Sequence, residues 1–119
     1  MMCDRDIRSA TEAASELLSR PARPTAVFAF NDVLAAGVMK AARRLGLEIP
    51  QELSVVGFDD STICAMLEPE LSSAHVDCRR MGELCMEHMA ALLDGAQDIP
   101  RLTVVPVNLK IRASSRAAI

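Results

Sequence analysis

The sequence has no tryptophan and no tyrosine, and only three phenylalanines in 119 residues. A cleft lined by stacked aromatic rings therefore cannot be built from this chain alone. No apolar run approaches the roughly 20 residues that span a bilayer. The segment Met1-Met-Cys-Asp-Arg-Asp6 lacks the apolar core of a signal peptide, so a cytoplasmic location is expected. Basic residues are outnumbered by acidic ones, 13 to 16. The net charge is -3 and the cations are scattered apart from the pairs Arg43-Arg44 and Arg79-Arg80, a poor electrostatic footprint for nucleic acid. The glycines are dispersed and form no phosphate-cradling loop. Cys3, Cys64, Cys78 and Cys85 include no CxxC pair, so a zinc site is not expected. Four cysteines could form two disulfides, but reduced thiols are the expected state, with Cys85 a core thiol on a helical apolar stripe.

Half of the residues are hydrophobic, enough for one modest core and too many for a disordered chain. One domain over residues 1–119 is expected. Asp4–Arg20 has helical periodicity, with Ala10, Ala14 and Leu17 on one face. The run Arg20-Pro-Ala-Arg-Pro24 stops it. Ala26–Phe30 reads as a strand covered on both faces. A helix follows from Asn31 or Asp32 to Leu45, with a stripe of Leu34, Val38, Ala41 and Leu45 and a Gly46 cap. Ser54–Phe58 is the next strand, which makes a βαβ unit and favours parallel pairing. Ser61 is placed to cap a short helix to Met66 or Leu67, and Leu71–Val76 is a brief strand. Asp77 caps a helix striped by Met81, Leu84, Cys85, His88 and Leu92. Leu102–Ile111 is an edge or bulged strand because of Pro106, and the tail from Arg112 is expected to fray. No strand precedes the first helix, so the chain reads as starting partway into an α/β lobe.

Two strands end in polar residues at the start of a helix or loop, where open α/β sheets gather ligand contacts. At the first, Asn31 and Asp32 both suit helix capping. Asp32 also suits a ligand contact, its charge favoured by the helix dipole and its oxygens able to accept from hydroxyl or amino groups. At the second, Gly57-Phe58-Asp59-Asp60, the glycine permits close packing. Asp59 reads as a loop support ahead of a ligand contact. Adjacent strand residues point oppositely and no third ligand is at hand, so neither a metal nor a carboxylate pair for catalysis is expected. His75 and His88 have no nucleophile at a recognisable spacing, and His88 reads as a core or interface histidine. No enzyme activity and no cofactor are expected.

The stretch Pro24-Thr-Ala-Val-Phe-Ala-Phe-Asn-Asp-Val-Leu-Ala-Ala-Gly37 resembles the effector-binding region of the LacI/GalR family of transcriptional regulators. So do Leu45-Gly-Leu-Glu-Ile-Pro-Gln-Glu-Leu-Ser-Val-Val-Gly-Phe-Asp-Asp60, Pro69-Glu-Leu-Ser-Ser73, Met81-Gly82 and Val107-Asn-Leu-Lys-Ile-Arg-Ala-Ser114, in the same order and spacing. The resemblance implies a partial periplasmic-binding-protein-like lobe, an α/β fold with a mainly parallel sheet flanked by helices. It implies a small-molecule effector such as a sugar, and a homodimer. DNA would be reached only through a helix-turn-helix domain that this sequence does not contain. It places the effector contacts at Asp32, with Asn31 beside it, and Asp59 near the cleft. After Ser73 the chain departs from the family pattern, with Ala74-His75-Val76-Asp77 lacking the glutamine often found there. A solute-binding component of a sugar transport system shares the lobe architecture but needs export. A remnant without independent activity is the remaining alternative.

Overall fold

A computed structural model describes residues 6–117. Eight elements follow one another: α1 (Ile7–Leu18), β1 (Ala26–Phe28), α2 (Asp32–Arg44), β2 (Ser54–Asp59), α3 (Ile63–Met66), β3 (Ser72–His75), α4 (Cys78–Leu93) and β4 (Asn108–Lys110). The strands form one four-stranded sheet in the order β1-β2-β3-β4. β1 and β2 are parallel, with Val27 opposite Val55. β2 and β3 are also parallel, with Gly57 opposite Ser73. The sequence-based expectation of a parallel βαβ unit holds, and the architecture is an α/β lobe with a mostly parallel sheet.

The chain divides into two compact units. One runs to His75 and resumes at Leu109; the other is Val76–Asn108. The first unit holds the core, in which Ala14, Leu18, Ala35, Val38, Met39, Ala41, Leu53, Val55, Cys64 and Leu71 cluster. Many of these side chains are small, and that lets α1 and α2 approach closely. A Cβ built on Gly37 would lie 2.5 Å from the Cβ of Ala10 and 3.0 Å from the carbonyl oxygen of Ile7. Asp6 caps α1, accepting from the amides of Arg8 at 2.8 Å and Ser9 at 3.0 Å. An expected start at Asp4 lies outside the described residues. Asn31 caps α2, and Arg43 and Arg44 lie in its last turn, where they oppose the helix dipole favourably.

Several elements differ from the sequence-based reading. β1 is covered on one face only. Val27 packs on the core, whereas Phe28 is 66% exposed and meets Phe58 edge-on. β2 alternates likewise, with Val55 and Gly57 buried between half-buried neighbours. The expected strand Leu102–Ile111 shortens to Asn108–Lys110, past Pro106, which has no N–H for a ladder. In the second unit, α4 begins as expected at an Asp77 cap, whose carboxylate accepts from the Arg80 amide at 2.8 Å. None of its residues is buried, so Cys85 is an exposed thiol rather than a core one. Cys64, Cys78 and Cys85 are free thiols, and Cys3 lies outside the described residues.

The largest correction concerns the tail. From Arg112 to Arg116 it is tied down instead of frayed. The Ser114 amide donates to the Glu70 carbonyl at 3.0 Å, and the Ser114 carbonyl accepts from the Val55 amide at 2.8 Å. The Ser114 hydroxyl, fully buried, donates to the Val55 carbonyl at 2.6 Å and accepts from the Ser72 amide at 2.8 Å. These bonds join the tail to β2 and to the start of β3. Composition could not show them, because all of the partners are distant in sequence.

Candidate functional site

The carboxyl ends of β1, β2 and β3 bring together three short polar segments: Asn31-Asp32, Asp59-Asp60-Ser61, and Ser73 with His75. Each is delivered by an apolar strand whose direction the parallel ladder fixes. This is the edge of an open α/β sheet at which ligands bind.

Asp32 occupies the first position of α2 and is 1% exposed. One carboxylate oxygen accepts from the Ser61 amide at 2.7 Å and the Ser61 hydroxyl at 2.8 Å. The other accepts from the Ser73 hydroxyl at 2.6 Å. Gly57 makes room for this carboxylate, since a Cβ there would collide with the Asp32 oxygen and come within 3.1 Å of Leu71. The geometry does not match the expectation of an Asp32 carboxylate facing a ligand. Two serines and a helix start turn it inward, where it pins the loop after β2 to α2. Ser61 is accordingly engaged with Asp32, and α3 begins after Thr62 with no side-chain cap.

Asn31 and Asp59 are placed differently. The Asn31 side-chain oxygen accepts from the Leu34 amide at 2.9 Å, while its amide nitrogen makes no hydrogen bond among the described residues. Asp59 ends β2 with φ 100°, in the left-handed region, and its side chain is exposed. No hydrogen bond or ion pair within the described residues engages its carboxylate. The expected loop-supporting role falls instead to its neighbour Asp60, also left-handed at φ 56°. The Asp60 amide donates to the Ser73 hydroxyl at 3.1 Å. Its carboxylate, 11% exposed, receives Arg112 at 2.6 Å and lies 3.0 Å from Nδ1 of His75. Burial by itself would raise the Asp60 pKa. The hydrogen bond and charge of Arg112, with a contribution from His75, outweigh it and hold the pKa below the ordinary 3.8. Arg112 is shifted up in turn, chiefly by its hydrogen bond to Asp60. Beneath the site, Cys64 is pushed up to about 11 by burial and by the adjacent Asp32 carboxylate.

Arg112 had no visible role in the sequence. The available signals were its place in the Val107–Ser114 motif and a cation beyond the last strand in a chain that ends its second strand with two adjacent carboxylates. Among the described residues no group of three or more His, Cys, Asp or Glu side chains is arranged to hold a metal ion. No helix among them is long and apolar enough to cross a membrane.

Known proteins carry the same arrangement of elements. A periplasmic binding protein-like domain model matches residues 2–115. The HTH-type transcriptional regulator DegA of Bacillus subtilis is 36% identical over 109 residues, covering 92% of this chain and 32% of DegA. A LacI family transcriptional regulator from Arthrobacter sp. FB24, solved in complex with lactose, superimposes with a TM-score of 0.87 at 31% identity. That match covers 96% of this chain and 44% of the other. A LacI family regulator from Bifidobacterium animalis subsp. lactis aligns over 100% of this chain and 44% of its own, with a TM-score of 0.94 and 30% identity.

The chain belongs to the periplasmic-binding-protein-like family, in the form carried by LacI/GalR transcriptional regulators. It spans about a third of the length of DegA and less than half of the two solved regulators. All three relatives are transcriptional regulators.

Proposed function

We propose that this chain is the effector-binding and dimerisation portion of a cytoplasmic LacI-type regulator, a single lobe whose ligand is a sugar or related metabolite. DNA contact is assigned to a helix-turn-helix domain outside this sequence. The observation that carries the reading is the placement of Asn31 and Asp59 on adjacent strand ends. One offers an amide N–H₂ and the other a carboxylate, both without a hydrogen-bond partner among the described residues. Donor and acceptor side by side suit a ligand rich in hydroxyl groups. Asp32 serves this surface from behind, by fixing the loop that carries Asp59. The similarity to a regulator solved with lactose favours a sugar.

The test is titration calorimetry of the chain with lactose and D-ribose, and with hypoxanthine as a nucleobase control. Asp59→Ala is expected to weaken sugar binding by the worth of one charged hydrogen bond, about 1.5–3 kcal/mol. That corresponds to roughly tenfold to over a hundredfold in affinity. Sugar affinity unchanged in a folded Asp59→Ala variant removes Asp59 from the site. Binding of hypoxanthine with no response to either sugar overturns the sugar assignment.

A further inference from the structure

We propose that Arg112 is a positioning residue for the ligand-facing end of β2: acting through Asp60, it holds Asp59 in its left-handed conformation with the carboxylate turned outward. The inference rests on the reading of Asp59 as an effector contact, and it adds a second segment of chain to that site.

Asp59 and Asp60 are consecutive non-glycine residues at φ 100° and 56°. Side-chain-bearing residues leave that region unless their surroundings hold them there. Among the described residues the Asp59 side chain has no polar partner that could do so; beyond the ladder pairing of Asp59 with His75, the polar side-chain restraint lies on Asp60. The Asp60 amide and both of its carboxylate oxygens are engaged. Its amide donates to Ser73 at 3.1 Å, one carboxylate oxygen receives Arg112 Nη2 at 2.6 Å, and the other lies 3.0 Å from His75 Nδ1. Arg112 is itself fixed. Its second terminal nitrogen donates to the Leu71 carbonyl at 2.7 Å, its amide donates to the Ser72 hydroxyl at 2.8 Å, and its Nε lies 4.0 Å from Glu70. The guanidinium fork thus ties the turn after β2 to the chain just before β3 with planar geometry that a lysine ammonium does not offer. Two residues further on, buried Ser114 locks the same tail to Val55 and Ser72.

The arrangement also settles which of two adjacent carboxylates meets the ligand. A single guanidinium neutralises Asp60, and Asp59 is left to accept from outside. Without Arg112 the turn would hold two neighbouring negative charges with His75 beside Asp60, and rotation of the Asp59–Asp60 peptide would be unrestrained by the tail.

Nuclear magnetic resonance of the isotope-labelled full chain tests this without any ligand. A positive φ brings the amide proton of a residue close to its own Hα, so Asp59 and Asp60 are expected to give strong intraresidue amide–Hα cross-peaks. In Arg112→Met, and in the nearly isosteric Asp60→Asn, the Asp59 cross-peak is expected to weaken and its amide resonance to move. The core resonances of Leu53 and Val55 stay in place, which reports an intact fold. Retention of the strong Asp59 cross-peak in both folded variants overturns the proposal. Lactose and D-ribose are then added to the wild type and to both variants. Perturbation of Asp59 in the wild type that is lost or weakened in the variants supports the clamp acting on binding. If neither sugar perturbs the wild type while the Asp59 cross-peak still depends on Arg112, the clamp stands and it is the sugar reading that fails.

Discussion

Asp32 and Asp59 show how position within a few residues changes what a carboxylate does. Asp32 sits at the first turn of α2 above Gly57, with Ser61 and Ser73 directed at it, and it is consumed by structure. Asp32→Ala should therefore act on stability first. Losing hydrogen bonds to a charged acceptor costs about 1.5–3 kcal/mol each, and the Ser73 hydroxyl is left without its acceptor. Urea unfolding is expected to show a loss of at least about 2 kcal/mol, against about 1 kcal/mol for Asn31→Ala, whose side-chain oxygen caps the helix. Equal small losses would mean that the buried network contributes little. Cys64 offers a second residue-scale check. Its pKa near 11 and its burial keep it a thiol, whereas Cys78 and Cys85 are exposed. At about pH 8, iodoacetamide is expected to modify Cys78 and Cys85 while sparing Cys64 until the chain unfolds, as read by peptide mass spectrometry.

At the scale of elements, glycine content separates two helices that the same sequence rules describe equally well. Gly37 in α2 lies against α1: a methyl group placed on it would meet Ala10 Cβ, the Ile7 carbonyl and the Thr11 amide at 2.5, 3.0 and 3.1 Å. A methyl group on Gly82 in α4 would have nothing within 4 Å. Alanine raises intrinsic helix stability over glycine by about 1 kcal/mol. At Gly82 that gain is unopposed, so Gly82→Ala should stabilise α4. At Gly37 the overpacking cost of roughly 1–3 kcal/mol exceeds it, because the nearest atoms belong to backbone and to a short alanine that cannot swing away. Opposite signs for the two variants in thermal unfolding are the expected outcome, and stabilisation by Gly37→Ala would show that α1 yields readily.

For the molecule as a whole, the link between the C-terminal tail and the sheet should be legible in its acid sensitivity. The Asp60 pKa is depressed in the folded chain relative to its ordinary 3.8. Its contribution to stability is accordingly complete above that unfolded value and is lost as the pH falls through the folded one. Stability measured by denaturant unfolding should drop as the pH is lowered from about 5 to below the ordinary carboxylate value, and the drop should shrink in Asp60→Asn, which has no carboxylate there to protonate. An identical acid loss in the variant would assign the effect to other carboxylates. The ion pairs on α4, such as Arg79 with Glu83 and Arg80 with Glu87, are exposed. They should contribute little to this difference, since solvent screens them.

The sequence alone determined the order of the elements, because its signals are local. Apolar runs at Ala26–Phe30 and Ser54–Phe58, the caps at Asn31 and Asp77, and the stop at Pro21 and Pro24 act over a few residues, and the structure places the elements there within a residue or two, β1 ending at Phe28 and β2 at Asp59. The motifs from Pro24 to Ser114 likewise sufficed for the family. Tertiary structure decided what the polar residues do. Asp32 meets donors 29 and 41 residues away, and Asp60 meets a cation 52 residues away. Neither partnership leaves a periodic trace, since hydrogen bonds between serine, aspartate and arginine need only proximity and can draw on many candidates along the chain. The burial of Ser114, the exposure of Cys85 and the exposure of Asp59 depend in the same way on which surfaces the fold brings together. A local pattern can tell which face of an element is apolar, but what covers that face is settled only by contacts between parts of the chain that are far apart in sequence.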